Sequence, residues 1–263
     1  MKFVIVRSGV GKCEPDCPEW IQAQGRISAG TATKLRKLLE DKSNRSLPIL
    51  LNSGGGDMNV AIEMGRLIRK YKMTTTIGRT LFPLCDPYGP TVCLPSVSNQ
   101  SHRGMALDYG AYCMSACPLV LLGGSVRLVS AGAFLGLHQP LRVEHPYEDR
   151  YLVTYRMEQG KKVILSKKFV KRITLPSKQV VGVDNKLRPY LSGYVKEMGG
   201  ALAIIDEMQK AAPSKINKIE YSEMQNLGLA TDTGSLDAFS TSSTCGDASV
   251  SASNAPTYCV VIK

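Results

Sequence analysis

Ser115 lies in the run Cys113-Met-Ser-Ala-Cys117, with the glycines Gly54, Gly55 and Gly56 upstream and His138 downstream. A hydroxyl, an imidazole and a turn that exposes backbone amides are the three parts that acyl transfer needs. Each has an ordinary explanation alone: a serine at a helix start is usually an N-cap, and a glycine run is usually a tight strand-to-helix turn. A lone histidine after an apolar run is usually a core residue. Their order in one chain nevertheless predicts a serine hydrolase.

The glycine run also excludes a common alternative. A phosphate-binding loop needs Lys followed by Ser or Thr after its glycines. Asp57 and Met58 stand there instead. Amides at the start of a helix can hold an oxyanion as well as a phosphate. The run is therefore expected to serve an oxyanion, and no cofactor is expected.

The composition indicates a globular chain with an excess of basic charge. The 263 residues are 43% apolar, which suffices for one sizeable core, and the net charge is +11. Such a charge suits nucleic acid, anionic lipid or an acidic substrate, but also a merely solvated surface. The densest basic stretch, 161–172, is expected to be the outer face of a strand or helix, with a phosphate or membrane surface as the alternative. No base-stacking motif is present, so no nucleic-acid partner is expected.

The cysteines predict disulfides. The even number and close local pairs are typical of an oxidising compartment, and no pair has the Cys-x-x-Cys spacing of a zinc site, so no metal is expected. The connectivity stays open at this point, because Cys113 can pair with Cys117 or either can reach Cys85 or Cys93. The eight cysteines are residues 13, 17, 85, 93, 113, 117, 245 and 259.

Export is expected from the cysteines, although the start of the chain shows no leader. The opening run Met1-Lys-Phe-Val-Ile-Val-Arg is too short for a signal peptide. A trimmed chain or a start codon set too far downstream would reconcile the two. No apolar run approaches the ~20 residues that span a bilayer, so no transmembrane segment is expected. The expected location is periplasmic or secreted.

Hydrophobic patterning predicts βαβ organisation around the three candidate groups. A buried strand over 48–52 is followed by the glycines, an amphipathic helix over 58–70 and a strand over 73–77. His138 ends a second strand-like run that begins at Phe134. Other predicted elements are a strand over 3–7, helices over 31–40, 118–122, 187–197, 202–210 and 222–228, and a strand over 126–129.

Two segments interrupt the βαβ pattern, and a third segment follows it. Residues 79–111, rich in proline, are predicted as an inserted, cysteine-stapled loop. Residues 145–185 are predicted as a second irregular, basic insertion. The expected organisation is therefore an α/β domain over 1–232 with these two inserted loops, followed by a Ser/Thr-rich tail over 233–263 pinned by Cys245 and Cys259.

The motifs together resemble the ClpP-like serine proteases of the ClpP/crotonase superfamily. The resemblance rests on Asn52-Ser-Gly-Gly-Gly56, the serine motif at 113–117, His138-Gln-Pro140 and the closing Asn226-Leu-Gly-Leu-Ala-Thr231. It covers roughly 20–78 and 111–231. The Cys-x-x-x-Cys-Pro-Glu-Trp-Ile run at 13–21 and the Gly25-Arg-Ile27 that follows resemble exported bacterial ClpP-like proteins. A ClpP/crotonase-like spiral of βαβ units is the fold this implies.

The resemblance assigns roles position by position. Ser115 would be the nucleophile, His138 the general base, and the amides of Gly56 and Ala116 the oxyanion hole. The family's aspartate falls near Asn217, which could orient the imidazole as a neutral third residue. Asp206 is acidic but lies too early. A peptide or protein substrate and a possible homo-oligomer are also implied.

Three other functions remain open at this stage. A non-catalytic binding or assembly protein would keep the fold, and the missing aspartate favours it. A crotonase-like acyl-CoA enzyme would use the glycine amides on a thioester, and basic charge would suit CoA phosphates. A Ser/Lys dyad would need one of the lysines at 161, 162, 167 and 168.

Overall fold

The computed structural model describes residues 1–9, 15–82, 102–234 and 236. It is mixed α/β, which confirms the predicted class. The helices are α1 Thr31–Leu38, α2 Met58–Lys70, α3 Cys117–Leu122, α4 Leu187–Glu197, α5 Ala203–Gln209 and α6 Tyr221–Met224. The strands are β1 Lys2–Ser8, β2 Glu19–Gln24, β3 Ile49–Asn52, β4 Thr74–Ile77, β5 Arg79–Leu81, β6 His102–Leu107, β7 Tyr112–Met114, β8 Val126–Val129, β9 Phe134–Leu137, β10 Leu141–Glu144, β11 Tyr147–Glu158, β12 Lys161–Thr174, β13 Lys178–Val181, β14 Asn217–Lys218 and β15 Asp232–Thr233.

A largely parallel sheet forms the centre of the described part. Its order is β15-β8-β4-β3-β2-β1-β6-β5, with antiparallel pairing only between β1 and β2 and between β5 and β6. All four residues of β3 are buried, as expected for a short apolar run inside a parallel sheet. The carboxyl ends of its parallel strands therefore share one edge, where the glycine turn after β3 lies.

A second, smaller sheet carries the serine and the histidine. Its order is β14-β9-β7, with β7 parallel to β9 and β14 antiparallel to it. It joins the central sheet at the turn after β3, because Ser53 forms an isolated bridge with Cys113. The segment before Ser115 is thus held by the glycine turn on one side and by β9 on the other.

Helix α2 begins at the glycine turn for a local reason. The Asp57 side chain accepts hydrogen bonds from the amides of Asn59 and Val60, at 2.9 and 3.0 Å, which caps the helix. Its apolar face is buried, including Ala61, Ile62 and Ile68, and it packs on α3. The helix that follows the candidate oxyanion turn is therefore fixed at its first turn.

Two arginines hold the carboxyl ends of α3 and α4 together. Arg69 donates to the carbonyl oxygens of Leu122 and Met198, both at 2.9 Å. Arg127, 4% exposed, donates to the carbonyl oxygens of Gly124 at 2.8 Å and Met198 at 3.2 Å. Burial, together with the charge of Arg69, lowers the pKa of Arg127 to about 10. The carbonyl ends of two helices thus replace a carboxylate as partners of these cations.

The predicted irregular insertions were wrong in part. Within 79–111 the structure has two strands, β5 and β6, which pair with each other and extend the central sheet; residues 83–101 lie outside the described part. Within 145–185 it has a long antiparallel hairpin of β11 and β12, rooted next to the pair β10–β13. Alternating β-branched and aromatic residues favour the strands of this hairpin. Two register shifts between β11 and β12 interrupt the alternation, so the sequence alone does not reveal it.

Smaller differences concern short elements. Strands β2 and β7 were not predicted, and the last predicted helix is only the short α6, although Gly228 follows it at φ +70° as a terminating glycine does. The tail beyond 236 and its two cysteines lie outside the described residues.

Candidate active site

Ser115 sits at the end of β7 in a left-handed backbone conformation, with φ at +62°. Its amide donates to the carbonyl oxygen of Gly136 at 3.0 Å, and the amide of Met114 donates to that of Ser53 at 2.9 Å. A non-glycine residue at positive φ is uncommon and is maintained only where its surroundings fix it. Ser115 is not the N-cap of α3, because that position belongs to Ala116.

The glycine turn packs directly against this serine. A Cβ placed on Gly55, whose φ is +89°, would lie 2.5 Å from Ser115 Cβ, 2.6 Å from the carbonyl oxygen of Met114 and 2.7 Å from the amide nitrogen of Ala116. Only glycine permits this approach. The turn therefore braces the serine backbone, a role that the sequence did not assign to Gly55.

Among the residues that the structure describes, the backbone amides of Gly56 and Ala116 have no acceptor. The Ile27 amide donates to the Gly55 carbonyl at 2.8 Å, and the Asp57 amide donates to the Ile27 carbonyl at 2.9 Å. The Gly56 amide lies between the Gly55 carbonyl and the Asp57 amide along the chain. It points away from Ile27, because backbone groups alternate in direction along an extended segment. Ala116 precedes the first turn of α3, where amides lack helical acceptors. In the described part of the chain, neither amide donates to another residue.

His138 follows β9 and is fixed by its own neighbour. Its Nδ1 lies 2.7 Å from the carbonyl oxygen of Gln139. Because a carbonyl oxygen only accepts, Nδ1 carries the proton, and Nε2 of the neutral imidazole holds the free lone pair. The Gln139 amide donates to Ala211 at 2.9 Å, and its side chain donates to the Gln209 carbonyl at 2.8 Å. The accepting carbonyl is thereby anchored to the end of α5.

The four predicted groups line one cleft of about 790 Å³. Parallel pairing of β7 with β9 ends at Met114 and Gly136, so Ser115 and His138 both emerge at the same end of this sheet. Among the described residues no hydrogen bond joins Ser115 Oγ to His138. The cleft wall also contains charged residues from β10 and apolar residues from α2, α3 and α5. Its lining includes Ser115, Ala116, Gly56, His138, Met58, Leu119, Leu141, Arg142, Glu144, Met208 and Pro213.

Asn217 makes different contacts from those expected of a third catalytic residue. Its Nδ2 donates to the Glu207 carboxylate at 3.0 Å and to the Glu207 carbonyl at 3.2 Å. Asn217 pairs with Leu137 across β14 and β9, and paired residues share a face whereas the next residue, His138, faces the other way. In the part of the chain described, His138 Nδ1 donates to the Gln139 carbonyl oxygen instead.

A disulfide closes a short ring around the serine. Cys113 and Cys117 are bonded, with Cα atoms 5.2 Å apart, which resolves the alternatives that the sequence left open. Both half-cystines are fully buried. Cys17 is also disulfide-bonded. The bond joins the end of β7 to the start of α3, so the two elements that flank Ser115 are covalently held.

Ion pairs shape the β10 side of the cleft. Arg142 donates to Asp184 at 2.7 Å, and Lys178 pairs with Glu144 at 3.4 Å. Hydrogen bonds from the Leu187 amide and from Arg142 lower the pKa of Asp184. Among the described residues, no group of three His, Cys, Asp or Glu side chains is arranged to hold a metal ion.

Comparisons with solved structures agree with the resemblance seen in the motifs. ClpP1 from Listeria monocytogenes has 12% identity and a TM-score of 0.43, over 83% of this chain and 92% of that chain. The 1510-N membrane protease specific for a stomatin homolog, from Pyrococcus horikoshii, has 13% identity and a TM-score of 0.42, over 81% and 71%. The chain is similar to ClpP-like proteases. At these values the likeness to ClpP-like proteases carries no argument about the site, which rests on the geometry above.

Sequence comparisons are less informative. No protein-family model matches this sequence, and no curated protein matches it. In the described residues, no helix is both long and apolar enough to span a membrane.

Proposed function

We propose that this protein is a serine peptidase in which Ser115 is the nucleophile and His138 the general base. The amides of Gly56 and Ala116 form the oxyanion hole in this proposal. The observation that carries it is the convergence on one cleft of a left-handed serine, an imidazole whose Nδ1 bonds to the Gln139 carbonyl, and two amides that have no acceptor in the described part of the chain.

The reaction begins when a peptide carbonyl enters the cleft. Ser115 Oγ bonds to the carbonyl carbon while its proton moves to His138 Nε2, and the oxyanion accepts from the two amides. Collapse breaks the C–N bond, and the leaving amine takes that proton. Water then attacks the acyl-enzyme, gives a proton to Nε2, and the acid leaves as the proton returns to Oγ. Substrate binding must bring Oγ and Nε2 together, since catalytic hydrogen bonds often tighten only in the complex.

The carbonyl of Gln139 takes the place of the missing aspartate. It fixes the same imidazole tautomer that a carboxylate would, but it lacks the negative charge that stabilises the imidazolium. Catalysis is therefore expected to be slower than in a protein with a full triad. Asn217, expected as the third residue, acts in this proposal as a support for β9.

The cleft suggests the kind of peptide cleaved. Met58, Leu119, Met208 and Pro213 line the same cleft as Ser115, so a peptide with an apolar side chain near the scissile bond fits best. Arg142 and Glu144 occupy the β10 wall and suit polar groups farther along the peptide. We further propose an exported protein, because the Cys113–Cys117 bond persists in oxidising compartments.

A non-catalytic binding protein is the second candidate. It is favoured by one observation: in the residues described, Ser115 and His138 share a cleft but no hydrogen bond. Such a protein would hold peptides without cleaving them. Labelling of Ser115 by a fluorophosphonate separates the peptidase from the binding protein.

A fluorophosphonate probe tests the proposal. Labelling is expected on the wild type and is expected to vanish in Ser115→Ala, while Ser222→Ala, an exposed serine of α6, labels normally. His138→Ala should slow labelling about 10²–10⁴-fold, the usual contribution of a general base. Mass spectrometry locates the adduct. An unlabelled wild type that is folded by circular dichroism would instead support the binding protein.

A further inference from the structure

The hairpin formed by β11 and β12, residues 147–174, has no role in the proposed chemistry. Its strands form a two-stranded sheet of their own, and only Asp149, Val163 and Ile173 are partly buried; the remaining strand residues are exposed. An isolated two-stranded hairpin is marginally stable in water. A sheet of this length outside the core is therefore expected to lie against something.

The hairpin exposes an unusual amount of apolar surface. Ten of its large apolar side chains are between 38 and 63% exposed. Contiguous exposed apolar surface generally marks an interaction site. These side chains belong to Tyr147, Tyr151, Leu152, Val153, Tyr155, Met157, Ile164, Leu165, Phe169 and Val170.

The strand register separates these residues into two faces. Cross-strand partners share a face, and Tyr151 pairs with Phe169 whereas Tyr155 pairs with Ile164. The aromatic face therefore includes the three tyrosines of β11. The opposite face carries Leu152 opposite Lys168 and Arg150 opposite Lys171. Apolar and basic side chains thus occur on both faces.

On the aromatic face, cations already lie over the rings. Lys167 Nζ is 4.1 Å from the Tyr151 ring centroid, and Lys162 Nζ is 4.7 Å from that of Tyr155. The Arg172 guanidinium lies 3.6 Å from the Tyr147 centroid. These contacts place the charged ends beside the rings and lay the aliphatic stems along apolar surface.

The charge of the hairpin selects an anionic partner. Residues 147–174 contain eight Lys and Arg but three Asp and Glu. A second copy would bring a surface of the same sign, and lysine-rich edge strands resist pairing with another strand. Nucleic acid would need ring faces for base stacking, and those faces carry the protein's own cations. Exposed aliphatic side chains on both faces suit a surrounding apolar layer better than a single rigid partner.

We propose that this hairpin binds the headgroup layer of an anionic lipid membrane. Its tyrosines and aliphatic side chains enter the boundary between headgroups and acyl chains, and its lysines extend to the lipid phosphates. Strand β10, which lines the catalytic cleft, leads directly into the hairpin. Binding would therefore present the cleft to substrates at the membrane surface.

Vesicle co-sedimentation of the full-length chain tests this inference. We expect binding to phosphatidylcholine vesicles that contain phosphatidylglycerol and little binding to pure phosphatidylcholine. Binding should fall steeply at 1 M salt, where the Debye length is about 3 Å. A basic residue near an anionic surface contributes about fivefold to partitioning. Four neutralised lysines should thus weaken binding about a hundredfold or more: Lys162→Gln, Lys167→Gln, Lys168→Gln and Lys171→Gln.

Two further variants separate charge from folding. Arginine at the same four positions keeps the charge and should retain binding. A matched control removes four exposed lysines elsewhere and should bind nearly as the wild type does. The control substitutions are Lys37→Gln, Lys42→Gln, Lys186→Gln and Lys196→Gln.

The apolar contribution has its own test. Ile164→Ser, Leu165→Ser and Val170→Ser together spare the cation–ring contacts and should reduce vesicle binding at low salt by tenfold or more, a loss of about 1.4 kcal/mol. Equal binding of the hairpin and control lysine variants would overturn the proposal. So would absence of vesicle binding by a folded wild type, whether it then bound an RNA oligonucleotide or formed a dimer through the hairpin.

Discussion

At the scale of single residues, the site depends on backbone atoms that fix the conformations of Ser115 and His138. Ser115 keeps φ at +62° because Gly55 packs against its Cβ and the amide of Ala116. His138 keeps its tautomer because the Gln139 carbonyl accepts from Nδ1. The functional groups are thus set by backbone atoms as much as by side chains.

Gly55→Ala should therefore damage the site more than the fold. The added Cβ overlaps Ser115, and overpacking of this kind costs about 1–3 kcal/mol, with a further ~1–2 kcal/mol for the left-handed backbone. We expect a lower urea midpoint and a large loss of fluorophosphonate labelling. Gly193→Ala is the control: it lies in α4 with open space around its Cβ, and it should gain up to about 1 kcal/mol. Normal labelling of Gly55→Ala would contradict the bracing role.

Asn217→Ala distinguishes the two candidates for the third catalytic position. Since the hydrogen bonds of Asn217 run to Glu207, its loss should cost about 1 kcal/mol of stability and leave the labelling rate unchanged. Urea unfolding and labelling are measured on the same preparation. A drop in labelling comparable to that of His138→Ala, at unchanged fold, would restore Asn217 to the triad.

At the scale of elements, the decisive feature is the parallel pair β7–β9, which brings the serine and the histidine to one end of a sheet. The sequence predicted β9 but not β7, because three residues centred on a cysteine are too few to show an alternation. The disulfide then ties β7 to α3 across Ser115. Covalent linkage and strand pairing act on the same turn.

Removing that disulfide should loosen the serine. In the chain-entropy description, closing so short a loop contributes about 2 kcal/mol. We expect the double variant Cys113→Ala, Cys117→Ala to unfold at lower urea and to label several-fold more slowly. Alanine avoids new thiols in a buried place. An unchanged labelling rate would mean that the strands alone hold Ser115.

At the scale of the whole molecule, the cleft and the hairpin are two distinct surfaces that are connected through strand β10. The cleft lies at the end of the small sheet, and the hairpin extends from the β10 wall of that cleft. The proposed chemistry and the proposed lipid contact share no side chain, so each can fail alone.

Because the cleft and the hairpin share no side chain, we expect that labelling and vesicle binding can each be lost without the other. Ser115→Ala should bind anionic vesicles as the wild type does, because the hairpin is untouched. The four-lysine hairpin variant should label with fluorophosphonate at the wild-type rate when vesicles are absent. Loss of both properties in either variant, with the fold intact, would show that the cleft and the hairpin are one functional unit.

The sequence by itself determined the groups that can react and most of the elements that carry them. Helical periodicity predicted α2, short apolar runs predicted β3 and β9, and the order of glycines, serine and histidine predicted the hydrolase. These are local signals, written in neighbouring residues. The tertiary structure decided the rest: that the Gln139 carbonyl is the partner of His138 Nδ1, that Cys113 bonds to Cys117, and that the hydrogen bonds of Asn217 run to Glu207. The long hairpin escaped prediction because two bulges break its alternation, and only its cross-strand register shows which side chains share a face.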